Sequence, residues 1–257
     1  AERHDHDVLM RSLPLDGTVT LKNITLDHGT LVICGPRSRD LLSKITDADL
    51  SNDRFPWLTS QRITVAGVPT LALRVNFVGE LGWELHHPID QQIQLFDAIV
   101  EEGEPFGLKH FGMYAMESMR IEKSYRMWGT DLTREYSILE AGLSRFVRFK
   151  KDEFVGKDAL VNQRNTGVPQ EFVTLEIDVT DGDAMGSEPI FRKGTMIGRA
   201  TSGCFGHSVG KSLALAYVQT GNGDIGTELE IEILGERRLA YVIPESPCDP
   251  ENEKLRA

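Results

Sequence analysis

The pattern of the chain changes near residue 165, and that change constrains the fold more than any other feature. Beyond it, Phe172 to Val179, Pro189 to Arg192, Thr195 to Ala200, Leu213 to Val218, Thr227 to Leu234 and Arg237 to Ile243 all read as strands. Gly, Asp and Asn separate them at short intervals, which predicts a small all-β barrel or sandwich. Leu234-Gly235 reads as a tight two-residue hairpin, and Asn165-Thr166-Gly167 as the linker. Before the break the signals are mixed. Val19 to Ile24 alternates as a half-buried strand should, Leu31 to Cys34 is a short apolar run, and Gly35-Pro36 opens a helix with Leu41, Leu42 and Ile45 inward. A helix is also expected from Asp7 to Ser12. Arg62 to Val65 and Thr70 to Val75 form a strand pair about Ala66-Gly67, a third extended piece follows, and two helices run through Phe96 and Met119. The expectation is an α+β sandwich over residues 1–165 and a barrel over 166–257.

Composition excludes several classes. With 28 Lys+Arg against 39 Asp+Glu and a net charge of −11, a general nucleic-acid binder is disfavoured. No apolar run approaches a membrane span of about 18 residues. Three separated cysteines without a CxxC pair fit reduced thiols in a cytosol-like compartment. The start, Ala1 to Asp7, lacks a signal-peptide core and an initiator Met.

Some motifs dissolve on inspection. Gly221 to Gly226 matches GxGxxG, but the period-two run Thr227 to Ile233 follows where a nucleotide site needs a helix. No flavin or nicotinamide site is therefore expected. His4-Asp5-His6-Asp7 and the acids Asp178, Asp181 and Asp183 lack the converging partners of a metal site. Asn23-Ile24-Thr25 is a sequon by letter only.

Two segments carry more. In Phe77 to Leu85, glycines bracket Glu80, and Glu84 stands in an apolar run that makes an unpaired carboxylate expensive. Glu84 is open to two readings: a ligand offering paired N–H donors, or a salt bridge to Arg120 or Arg74. In Tyr114 to Asp131, Glu117 and Arg120 are spaced as an i,i+3 ion pair, and Ser137 to Glu140 resembles a capping box.

These pieces, in order, resemble the aminomethyltransferase (glycine cleavage T-protein) family. The likeness is closest to the folate-binding C-terminal part of dimethylglycine and sarcosine dehydrogenases. The resemblance rests on Gly35 to Arg39, Val78 to Leu85, Phe111 to Met116, Met119 to Lys123 with Trp128-Gly129, and Leu139 to Leu143. Phe154 to Leu160, Thr201 to Val209 and Ser212 to Val218 extend it through the barrel.

The resemblance implies a ferredoxin-like folate-binding sandwich followed by a barrel, and a tetrahydrofolate site without a metal. Glu84 would accept the pterin N–H groups, with Phe77, Leu85, His86 and Arg145 lining the pocket. Phe77 stands where the family usually has Tyr, and Arg145 where the dehydrogenases tend to have Tyr. The implied activity is transfer of an aminomethyl or N-methyl-derived carbon to tetrahydrofolate, giving 5,10-methylenetetrahydrofolate. The donor would be a small N-methyl amine or aminomethyl compound. The alternative is a non-catalytic folate-binding or assembly module partnering a flavoprotein. Location would be cytoplasmic, or the mitochondrial matrix in a eukaryote. The family's N-terminal stretch, with an Asp near the reacting nitrogen, precedes the point where this chain begins, so no catalytic acid or base is assigned.

Overall fold

A computed structural model describes residues 2–257. By packing, these form two units. One comprises the residues up to Asn76, with Glu80–His110 and Asn252–Ala257, and the other comprises Phe77–Gly79 and Phe111–Glu251.

The first unit begins with α1 (Glu2–Arg11), longer than expected and without buried residues. Its sheet contains β1 (His28–Cys34), β2 (Ser60–Val65), β3 (Val68–Leu73) and β4 (Gly82–Pro88), in the order β1-β4-β3-β2. All three pairings are antiparallel. α2 (Ser38–Leu42) and α3 (Gln92–Gly103) supply Leu41, Leu42, Leu95 and Ile99 to one face, where they meet Ala72, Trp83 and Leu85. Period two along β4 drives this segregation: Trp83, Leu85 and His87 are buried, while Glu84 and His86 are only partly covered. Arg74, fully buried, donates to the carbonyls of Phe55 (2.7 Å) and Ala257 (2.9 Å), tying the C-terminal residue to this core.

The expected strand at Val19 to Ile24 is a correction. These residues form no strand, and Val19, Leu21 and Ile24 are 50, 36 and 45% exposed. Alternation gives an extended chain two faces, but a strand also needs a ladder partner. Neither edge strand of the sheet, β1 or β2, pairs with this segment.

The second unit contains α4 (Met113–Glu122), α5 (Lys157–Thr166) and the strands β5 (Gln170–Ile177), β6 (Pro189–Arg192), β7 (Thr195–Gly206), β8 (Lys211–Gln219), β9 (Glu228–Ile233) and β10 (Glu236–Ile243). The strands close into a barrel in the order β10-β5-β8-β7-β6-β9. Branched side chains such as Val173, Leu175, Ile190, Leu229 and Ile231 fill it. β8 is buried on both faces, because Leu213, Leu215 and Tyr217 pack outward under Ile121, Ala141 and Phe172. That double burial explains its unbroken apolar run. Leu234 and Gly235 take φ of 54° and 82°, as the hairpin requires. The glycine loop at 221–226 turns into β9, and the Glu171 carboxylate accepts the N–H groups of Gly221 (2.9 Å) and Gly223 (3.0 Å). Ser137 and Glu140 bond reciprocally, Ser137 N to Glu140 Oε2 at 2.7 Å and Glu140 N to Ser137 Oγ at 3.2 Å. No helix among the described residues is long and apolar enough to cross a membrane.

Candidate functional site

The glycines around Glu80 have separate causes. Gly79 takes φ of 76°, and a Cβ on Gly82 would lie 2.5 Å from the carbonyl oxygen of Ile33, so β4 starts in close contact with β1. Glu80 itself is tied to Lys254 at 3.0 Å. Register then sets the neighbours of Glu84: Val32 on β1 and Leu73 on β3. One pair further along, His86 lies between Thr30 and Leu71. Around this position the sheet face thus presents Glu84 and His86 beside Val32, Leu71 and Leu73.

Glu84 Oε2 lies 3.2 Å from His86 Nε2, and His86 Nδ1 lies 3.0 Å from Thr30 Oγ1. An ionised carboxylate only accepts, so Nε2 carries the proton that joins the first pair. In the neutral ring Nδ1 is then an acceptor, and Thr30 donates its hydroxyl proton to it. The relay fixes the tautomer of His86 and the direction of one Glu84 oxygen. It leaves Oε1 of Glu84, about 30% of whose side chain is exposed, able to accept from a ligand. Neither arginine considered as a salt-bridge partner takes that role: Arg74 bonds the carbonyls named above, and Arg120 pairs with Glu117 and Asp131.

The other expected lining residues fall elsewhere. Leu85 is fully buried in the core on the opposite side of β4, so only its backbone borders the face of Glu84 and His86. Phe77 and Arg145 belong to the second unit. There Phe77 stacks on Tyr125, with centroids 5.9 Å apart and planes at 23°, and Arg145 sits 4.9 Å over the Phe146 ring. Burial first, and Asp249 second, raises the Tyr125 hydroxyl pKa.

The second unit also holds a buried polar network that the sequence only half revealed. Arg120 donates to Glu117 Oε2 (2.8 Å), Asp131 Oδ2 (2.8 Å), Ser202 Oγ (2.8 Å) and the Tyr125 carbonyl (2.9 Å). Asp131 also accepts from Met127 N (2.8 Å), Thr201 Oγ1 (2.5 Å) and Ser202 Oγ (2.7 Å). The Glu117–Arg120 spacing was visible; Asp131 and the Thr201-Ser202 pair were not, because chain reversal alone brings them together. A cavity of about 430 Å³ borders this network, lined by Glu117, Arg120, Ser202, Cys204, Phe205 and His207 among others. Burial, reinforced by Asp183, pushes the Cys204 thiol up to about 12, so it is no ready nucleophile.

This α+β sheet with an appended closed barrel is the architecture of a solved aminomethyltransferase T of the glycine cleavage system from Bartonella henselae. The TM-score is 0.76 at 23% identity, over 87% of this chain and 60% of that one. Residues 1–151 match the GCVT N-terminal domain family, and residues 170–249 match the Glycine cleavage T-protein C-terminal barrel domain. The chain belongs to the glycine cleavage T-protein family.

Among its relatives, human mitochondrial dimethylglycine dehydrogenase is 40% identical over 228 residues, and mouse mitochondrial sarcosine dehydrogenase 37% over 238. An aminomethyltransferase from Thermoanaerobacter sp. (strain X514) is 32% identical over 225 residues. These alignments cover 88, 90 and 88% of this chain. The chain spans 26% of each dehydrogenase and 61% of the aminomethyltransferase.

Proposed function

We propose that this chain is the folate-binding and barrel portion of a tetrahydrofolate-dependent one-carbon transferase. The carbon of an aminomethyl group, or of an N-methyl amine already oxidised to the iminium level, would pass to tetrahydrofolate. The carbon would bridge two folate nitrogens as 5,10-methylenetetrahydrofolate, and the amine would depart. The observation that carries this reading is Glu84, held by the His86–Thr30 relay on an open sheet face with apolar flanks.

The chemistry of that face suits a pterin. A planar ring offering adjacent N–H groups pairs well with one carboxylate. Val32 and Leu73 provide the apolar bed that such a ring needs. Glu84 would bind and orient, His86 would hold Glu84, and the Leu85 backbone would border the ring. Phe77 and Arg145 are the remaining candidates from the family resemblance. Positioning the folate nitrogens against the carbon donor is the protein's main contribution, and excluding water protects the reactive carbon. Relatives named as mitochondrial support a matrix location in a eukaryote, and those named dehydrogenases support a flavoprotein domain or partner.

Calorimetric titration of tetrahydrofolate or its 5-formyl analogue into the chain and into Glu84→Ala tests the reading. The expected result is saturable binding that weakens tenfold or more in the variant, about 1.4 kcal/mol. No binding by the folded chain at millimolar ligand overturns it. Binding without formation of methylenetetrahydrofolate from any donor indicates the non-catalytic module instead.

A further inference from the structure

Residues 144–166 of the second unit, which end in α5, reverse the charge of the molecule. They carry Arg145, Arg148, Lys150, Lys151, Lys157 and Arg164 against three acids, Asp152, Glu153 and Asp158, in a chain whose net charge is −11. Among the described residues none of these six cations has a carboxylate within ion-pair distance, whereas Arg199, Lys211, Arg237 and Arg238 on the barrel all do. Apolar side chains stand in water beside them. Phe146 is 67% exposed, Val155 is fully exposed, and α5 contains no buried residue.

Contacts gather these cations on one surface. Lys157 Nζ donates to the carbonyls of Lys151 (2.7 Å) and Asp152 (2.8 Å), which fixes the start of α5 against the preceding loop. Arg164 follows on the same face of α5, two turns later. Its guanidinium lies 4.2 Å from the centroid of the Phe149 ring. Arg148, Lys150 and Lys151, all exposed, surround Phe149 in the chain.

Arginine and exposed aromatic or branched side chains are what the centre of a protein interface uses. The charge selects the partner, because unpaired cations attract a surface of opposite sign. Nucleic acid or a lipid surface presents extended negative charge, which the net charge of −11 opposes. A short acidic segment needs to meet only this patch, since charges beyond a Debye length of about 8 Å are largely screened. We propose that residues 146–164 are a docking surface for an acidic segment of a partner protein. Carboxylates of that segment would pair with Arg148, Lys150 and Lys151, and an apolar side chain would cover Val155. The assignment is independent of the folate reading, because Arg145, which that reading places in the pocket, is not used.

The probe is a labelled peptide of glutamate and leucine, followed by fluorescence anisotropy. An all-glutamate peptide of equal charge, a single-stranded DNA oligonucleotide and phosphatidylserine vesicles serve as comparators. The proteins are the chain, the triple variant Arg148→Gln with Lys150→Gln and Lys151→Gln, and Val155→Ser, with circular dichroism confirming each fold. The leucine-containing peptide is expected to bind the chain, and more weakly as salt rises. The triple variant should weaken it about tenfold. Val155→Ser, which alters a fully exposed side chain, should weaken it about threefold and leave the all-glutamate peptide unchanged. No peptide binding by the folded chain at millimolar concentration, or binding indifferent to the triple variant, overturns the proposal. So does an equal effect of Val155→Ser on both peptides, which would leave only general attraction of anions. Tighter binding of DNA or vesicles than of peptide also overturns it. Self-association of the chain that the triple variant abolishes overturns it as well, by giving the surface to a second copy.

Discussion

Removing the Asp131 carboxylate should be among the most damaging single changes in the second unit. Its side chain is fully buried, and it accepts from Arg120, Met127 N, Thr201 and Ser202. Arg120 is itself 1% exposed, so Asp131→Ala strands a buried guanidinium with only the partly exposed Glu117 to balance it. Breaking one partner out of a buried ion pair costs about 3–5 kcal/mol. Asp131→Asn keeps the shape, and the two hydroxyls can turn to accept from its amide. Its cost should be smaller, on the order of 1–3 kcal/mol, the loss of charge-assisted bonding. Urea unfolding followed by circular dichroism reads the difference. At a slope of about 2–3 kcal/mol per molar, Asp131→Ala lowers the midpoint by about 1–2 M. The double change Arg120→Met with Asp131→Leu should recover much of the loss, since the stranded charge is then gone. An Asp131→Ala midpoint within about 0.3 M of the parent would refute the view that this pair is a desolvated, mutually dependent unit, as would a double variant no better than the single one.

Two further outcomes follow from the geometry of the first unit. Thr30→Val removes the hydroxyl bonded to His86 Nδ1 but leaves the Glu84 acceptor on Nε2, so nitrogen-15 spectra of labelled histidine should still show the proton on Nε2 while folate affinity falls a few-fold; a shift of the proton to Nδ1 would show that Glu84 does not set the tautomer. Burial, with Glu80 second, raises the Cys34 thiol from 9.0 to about 11. Between those values the unfolded chain has lost the proton and the folded one retains it, so this contribution to stability is whole below pH 9 and declines as pH rises towards 11. The decline is on the order of 3 kcal/mol. Cys34→Ala should flatten the stability profile over that interval relative to the parent, and parallel profiles would contradict the assignment.

Much of the fold was legible in the sequence wherever a local rule and the tertiary packing agreed. All six barrel strands were read, though β7 runs on to Gly206 beyond the expected Ala200, because Gly, Asp and Asn punctuate them and because Val173, Leu175, Ile231 and Ile233 alternate into one core. Leu234-Gly235 could be placed because left-handed backbone is strongly selected for particular residues. Val19 to Ile24 misled for the complementary reason: alternation reports an extended conformation with two different faces, and carries no information on whether a neighbouring strand exists. The functional residues divide the same way. Glu84 stood out as a carboxylate in an apolar run, whereas Leu85, expected beside it, lies with its side chain in the core on the other side of β4. Its partners did not stand out, since Thr30 lies 56 residues from His86 and becomes its neighbour only through the β1–β4 ladder.

What the sequence by itself determined, then, is the set of local conformations, the two modes of patterning on either side of residue 165, and the one carboxylate whose surroundings demand a partner. What only the tertiary structure decided is which polar groups satisfy one another. Arg120 with Asp131 and Ser202, Glu171 with the glycine loop, and Glu84 with His86 and Thr30 are all such choices. The reason is physical. A backbone torsion or a buried face is set by a residue and its near neighbours. The pairing of a buried charge depends instead on which distant donors the folded chain brings within about 3 Å, a distance that no spacing along the chain encodes.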